Sequence, residues 1–312
     1  MLGLLKKSAA PKGRIGVAFA GDQIALAVVR REGGVAVLDR CEILSFNPNG
    51  GPESIAAAFR GANLPRLPVS TVLRPDDYQL AMIEAPDVPP AELRAAMRWR
   101  LKDAIDFRVE DAVIDVFDVP AQNRGGQGRM MYAVAARRTS VERHAAALVT
   151  VPTFDVVDVP ELCLRNLAAM LPAAASGVAL LHLGETAATI VLVRGSMFYF
   201  ARQMDLQATL RIASGSDFTG RLDAGSVVLE LQRSLDYYER HFDQPPITRI
   251  SVSPTSARAS DLAVDLSRET GLEVSTLELG AIVKCATTFE AEAQSTCLLA
   301  VGAALRDEQR SL

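Results

Sequence analysis

The stretch Ile83–Pro120, IEAPDVPPAELRAAMRWRLKDAIDFRVEDAVIDVFDVP, carries the sharpest structural signal in the chain. A strand ends at Glu84-Ala85-Pro86. The pair Pro89-Pro90 then opens a helix, because the first helical turn has no use for the N–H that proline lacks. Leu93, Met97, Leu101 and Ile105 recur every fourth residue and form one buried stripe. After them the period changes to two: Ala112, Ile114, Val116 and Asp118 alternate with Val113, Asp115, Phe117 and Val119, the pattern of a strand packed on both faces. Helix and strand make one compact unit, and no catalytic group sits in it.

Around this unit the composition bounds the rest. The chain has 312 residues, 49% of them hydrophobic and 22% charged, enough to bury large cores in a globular protein that divides into two units of ordinary size. A net charge of −4 gives no global basic field, which argues against nucleic acid as the main partner. No apolar run is long enough to span a bilayer and the N-terminus has no signal-peptide core, so a cytoplasmic location is expected. Cys41, Cys163, Cys285 and Cys297 are scattered and read as reduced core residues. His144, His182 and His241 lack the spacing of a metal site.

In chain order, Arg14–Val29 reads as two strands joined at Ala20–Gln23, and Gly33-Gly34 turns the chain into a third. A helix is expected from Ser54, taken as its cap, and a strand over Val69–Leu73. Thr139 is expected to cap a helix over Val141–Val149. Strand Phe154–Val159 and a helix opened by Pro160 follow. Then Val178–Leu183, Ala187–Val193 and Met197–Arg202 repeat the opening meander, which is the sign of a duplicated fold whose halves face one cleft. A helix over Val227–Phe242, a strand at Ile250–Val252 and a last helix over Cys297–Leu305 complete the expected elements. The glycine-rich loop between Val119 and Met130 lacks the strand-then-helix setting of a phosphate cradle. Gly220–Ser226 has P-loop glycine spacing but no lysine.

The pattern Pro86-x-x-Pro89-x-x-Glu92-Leu93, then Arg98-Trp99-Arg100, Ile105-Asp106-Phe107 and Asp115, resembles the type IV pilus assembly PilM family, and within it the MshI branch from MSHA pilus biogenesis. The run Gln232–Tyr238 and the last helix extend the likeness. The resemblance implies an α/β chain with a duplicated actin-like (ribonuclease H-like) fold, related to FtsA, carrying a small αβ subdomain inserted in the first half. It places the first half at 1–76 and 151–176, the insertion at 77–150 and the second half at 177–312.

Nucleotide-binding relatives of that fold present an aspartate at each of two phosphate hairpins. Here the matching runs are Ile15-Gly16-Val17-Ala18 and His182-Leu183-Gly184, without either carboxylate. Ser253-Pro254-Thr255 stands where glycines admit the adenosine, and proline there removes an N–H and fixes φ. The resemblance therefore implies a vestigial nucleotide site at Gly16, Gly184, Glu185 and Thr186, and a noncatalytic scaffold that needs no cofactor. The alternative is a functioning ATP-binding ATPase that uses ATP and magnesium, with Glu185 or Asp22 as substitute acids. As a turn residue, Asp22 also suits capping of its own backbone. A sugar kinase is a weaker third reading, because no catalytic base is evident.

The resemblance further implies a partner, the N-terminal tail of a PilN- or MshJ-like bitopic inner-membrane protein, gripped in a groove between the first half and the insertion. That would make the chain peripheral at the inner membrane. Arg94, Arg98 and Lys102 recur every fourth residue, and like charges at that spacing repel. Either Asp103, Asp106 and Glu110 relieve them, or the stripe meets an acidic peptide or an anionic membrane surface.

Overall fold

The computed structural model describes residues 13–120, 122, 129–149, 151, 153–184, 187–205, 224–253 and 256–307. In chain order, β1 (Gly13–Ala20), β2 (Gln23–Glu32), β3 (Val35–Ser45), α1 (Gly51–Ala62) and β4 (Val69–Val72) come first. They are followed by β5 (Tyr78–Glu84), α2 (Pro90–Leu101), β6 (Ala112–Asp118), β7 (Met130–Arg137) and α3 (Arg138–Ala147). After β8 (Phe154–Asp158) and α4 (Pro160–Ala168) come β9 (Val178–Leu183), β10 (Ala187–Arg194), β11 (Met197–Asp205) and α5 (Ala224–His241). The chain closes with β12 (Arg249–Ser253), α6 (Ala257–Thr270), β13 (Glu273–Thr276), β14 (Lys284–Cys285) and a last helix, Leu298–Ala304.

Two large sheets share one topology. The first has the order β14-β3-β2-β1-β4-β8 and the second β11-β10-β9-β12-β13. In each, a three-strand antiparallel meander is extended from its first strand by two parallel strands. The third sheet, β5-β7-β6, is antiparallel, with α2 on one face. Met97 and Leu101 of the stripe are fully buried there against Ile114, Val116 and Ala133, while Leu93 and Ile105 pack at its edges.

The other face of the third sheet packs on the second large sheet, as the two-faced alternation of 112–119 requires. Phe117 stacks on Tyr132 at 5.2 Å, and Phe198 of β11 meets both rings edge-on at 5.5 and 5.1 Å. The Tyr132 hydroxyl accepts the Ala201 N–H of β11 at 3.2 Å.

Some expected helix caps are different groups. α1 begins at Gly51-Pro52, three residues before Ser54, whose hydroxyl instead accepts the Asn47 N–H at 2.7 Å. α3 starts at Arg138 without a side-chain cap, so Thr139 lies inside it. Between 256 and 285, α6, β13 and β14 lie beyond the elements expected from sequence, and α6 is capped by Ser256. The segments 1–12, 123–128 and 206–223, the last two holding most of both glycine-rich stretches, lie outside the described residues.

The end of the chain leaves the second sheet and returns to the first. Lys284 and Cys285 pair with Val37 and Leu38 of β3, and the last helix lies across β1 and against α4. Glycine makes that approach feasible. A Cβ on Gly16 would stand 1.8 Å from the Ala300 carbonyl oxygen, and one on Gly302 would stand 2.5 Å from that of Cys163. Asn166 of α4 donates to the Gly302 carbonyl at 2.9 Å, fixing the contact. The return places β14 and the last helix, both from the 177–312 stretch, against the first sheet.

Candidate functional site

The two hairpins of the repeated meander open into one cleft of about 370 Å³. Ala18 to Gly21 line it from the first sheet, His182 to Gly184 from the second, and Arg74 and Asp76 from the loop after β4. This is the cleft expected between two halves. Of the residues assigned to a nucleotide site by sequence, Gly184 lines it, and Glu185 and Thr186 lie outside the described residues. Gly16 does not belong to the cleft; it lies beneath the last helix, where its missing side chain admits Ala300. Asp22 stands exposed at the hairpin tip, and its backbone carbonyl accepts the Phe46 N–H at 3.0 Å.

The chemistry of the cleft follows from its side chains. His182 is buried and its Nδ1 lies 3.3 Å from the Ser253 hydroxyl. Burial lowers its pKa to about 4, so the imidazole is neutral. Asp76 is the one carboxylate among the described lining residues, and it is exposed at the rim. A magnesium–phosphate pair is ordinarily held by one or two carboxylates beside the phosphates, and among the described lining residues Asp76 is the one such group. Among the described residues no cluster of three or more His, Cys, Asp or Glu side chains could hold a metal ion.

A second cavity, of about 450 Å³, lies between β8, β6 and the start of β11, with Arg94 at its rim. β8 is the edge strand of the first large sheet and β6 the edge strand of the inserted sheet, so two strand edges border one groove. Its floor is apolar: Val116, Phe117, Val157, Leu162, Met197 and Phe198 line it. Each carboxylate in the lining is already paired with an arginine. Asp115 meets Arg94 at 3.2 Å, Asp155 meets Arg14 at 2.7 Å, Asp158 meets Arg306 at 2.7 Å, and Asp118 is bonded to Arg129. Arg165, also in the lining, donates to the Ser196 carbonyl at 3.3 Å, and the groove offers apolar pockets flanked by backbone edges.

Within the chain, Arg94 and Arg98 of the basic stripe on α2 meet groups other than the acids expected from sequence. Arg94 is neutralised by Asp115 on the neighbouring strand. Arg98 folds back to donate to the Val109 and Ala112 carbonyls at 3.0 and 3.4 Å, so its charge serves the backbone of its own subdomain. Asp106 pairs with Arg137 and Glu110 with Arg108 rather than with the stripe. Lys102, at the C-cap of α2, remains exposed. Trp99, the one tryptophan, is 79% exposed on the same helix. Asp155, Asp158, Phe198 and Arg306 were not singled out by sequence, since residues so far apart in the chain carry no local signal of meeting.

No protein-family model matches this sequence, and no curated protein does. Solved structures are similar in fold. The PilM-PilN type IV pilus biogenesis complex superposes with a TM-score of 0.69 at 20% identity, over 95% of this chain and 98% of that one. A protein of unknown function with an actin-like ATPase fold, from Bacteroides thetaiotaomicron, superposes with a TM-score of 0.52 at 9% identity, over 95% of this chain and 100% of that one. Repeated sheet topology, one cleft between the two sheets and these superpositions agree: the chain has a two-lobed actin-like fold.

Proposed function

We propose that this chain is a scaffold component of type IV pilus biogenesis, PilM-like and of the MshI kind, located in the cytoplasm and peripheral at the inner membrane. It holds the cytoplasmic N-terminal tail of a PilN- or MshJ-like bitopic protein, and its nucleotide cleft is degenerate. The working division is 1–76 with 151–176 as the first half, 77–150 as the insertion and 177–312 as the second, apart from the return of the last helix. The observation that carries the reading is the groove between the first half and the insertion. Two unpaired strand edges above an apolar floor suit an extended peptide that adds main-chain hydrogen bonds and inserts alternate apolar side chains. With each acid of the groove held by an arginine above an apolar floor, the occupant we infer is an apolar segment. The likeness to the PilM-PilN complex supports the same assignment.

A second reading, an ATP-binding actin-like ATPase that regulates pilus assembly, is favoured by the cleft that both hairpins enter.

The test is capture of a synthetic peptide of the PilN-type tail by the full chain. Val157 is half-buried on β8 and lines the groove, so Val157→Glu places a charge on the floor. We expect at least a tenfold loss of affinity, while Lys102→Glu on the outer face of α2 leaves binding and its salt dependence unchanged. Undiminished capture by Val157→Glu removes the groove from the interface.

A further inference from the structure

A buried polar triangle joins the three walls of the groove. Tyr78 is the first residue of β5 in the inserted sheet, Glu161 lies in the first turn of α4, and Gln203 is on β11 of the second large sheet. The Tyr78 hydroxyl donates to Glu161 Oε2 at 2.5 Å. Gln203 Nε2 donates to Glu161 Oε1 at 2.8 Å and to the Tyr78 hydroxyl at 3.1 Å. Glu161 is 1% exposed and Tyr78 5% exposed, whereas Gln203 reaches in from an exposed position. A carboxylate in such surroundings is costly unless every lone pair finds a donor, and here the donors come from two other units of the fold.

The walls of the groove belong to the same three units. Val116 and Phe117 come from the inserted sheet, Val159 and Leu162 from the end of β8 and the first turn of α4, and Met197 and Phe198 from β11. Leu162 directly follows Glu161, so the residue that anchors the triangle is adjacent in the chain to one that lines the groove. We propose that Tyr78, Glu161 and Gln203 form a clasp that fixes the spacing of these three walls and so presets the groove for an extended segment. The clasp goes beyond the assignment of a partner, because it acts in the free chain.

The experiment is hydrogen exchange of the free, full-length protein, read by peptide. Gln203→Ala removes the exposed arm without disturbing the core, and Tyr78→Phe removes the hydroxyl alone. Both are expected to raise exchange of the protected amides in β6, β8 and β11 by about tenfold while leaving β1, β2 and β9 at wild-type rates. Glu161→Gln is expected to stay near wild type, since its amide oxygen still accepts from Tyr78 and the Gln203 amide can turn to match. Unchanged exchange in the groove strands overturns the proposal. So does a uniform rise across all sheets, which is the signature of general destabilisation. Should Tyr78→Phe fail to fold, Gln203→Ala decides alone. Failure of peptide capture with a localised exchange response would reject the partner and keep the clasp.

Discussion

Replacing Gly16 by alanine separates two roles for one residue. A phosphate-binding glycine would be substituted with little effect on folding, whereas the structure sets Gly16 against the last helix. The added Cβ would lie 1.8 Å from the Ala300 oxygen, 2.7 Å from its carbonyl carbon and 2.9 Å from the Ala304 nitrogen. Ordinary carbon contacts begin near 3.5 Å, so the shortfall exceeds 1 Å against backbone that no rotamer change can move. The helix cannot simply slide away, because Gly302 on it is itself within 2.5 Å of the Cys163 oxygen measured from an ideal Cβ. Overpacking of a core commonly costs about 1–3 kcal/mol, and this case belongs at the upper end or above. With a urea dependence of about 3 kcal/mol per molar, the unfolding midpoint of Gly16→Ala should fall by about 1 M. The assay is equilibrium urea denaturation followed by circular dichroism, with ATP retention measured in parallel. A midpoint unchanged within about 0.2 M, the precision of the method, would refute the packing argument.

Gly61, on α1 near its C-terminal end, meets nothing within 4 Å of an added Cβ, so Gly61→Ala should raise stability by about 0.5–1 kcal/mol in the same titration. Burial lowers the pKa of both His144 and His182 from 6.5 to about 4. The unfolded chain therefore binds their protons first, and stability present above pH 6.5 is lost as pH falls toward 4, by up to roughly 3 kcal/mol for each histidine. Glu161, raised by burial, acts in the opposite sense, favouring the fold as pH falls through its elevated value. His182→Asn should flatten the loss between pH 7 and pH 5 in urea midpoints; an unaltered slope would rule out His182 as its source. In a titration with ATP, with and without magnesium, we expect no magnesium-dependent turnover above background, given Ala18, His182 and the single described acid Asp76 in the cleft. Turnover abolished by Glu185→Ala would favour the ATPase reading.

The sequence by itself determined what is written in periodicity and punctuation. The stripe Leu93, Met97, Leu101, Ile105, the switch to alternation at Ala112 and the second meander after Val178 are local patterns, and each forms the expected element. That alanine stands at 18 and histidine at 182 is equally a matter of residue identity. The starts of α2 and α4 were legible in their prolines, whereas α1, opening on Gly51-Pro52, and α3, opening on Arg138, have no side-chain cap to mark them.

Only the tertiary structure decided which residues meet across long separations. Gly16 and Ala300 are almost a whole chain apart, and neither has a neighbour in sequence that signals their contact. The groove assembles Arg94, Asp115, Val157, Phe198 and Arg306, and the clasp assembles Tyr78, Glu161 and Gln203. Arg98 is the instructive case: on a helical wheel it is one more exposed cation, yet the carbonyls of Val109 and Ala112 are delivered to it by the turn and strand that follow. A side chain's charge is encoded by its residue, but its partner is fixed by where the rest of the backbone runs.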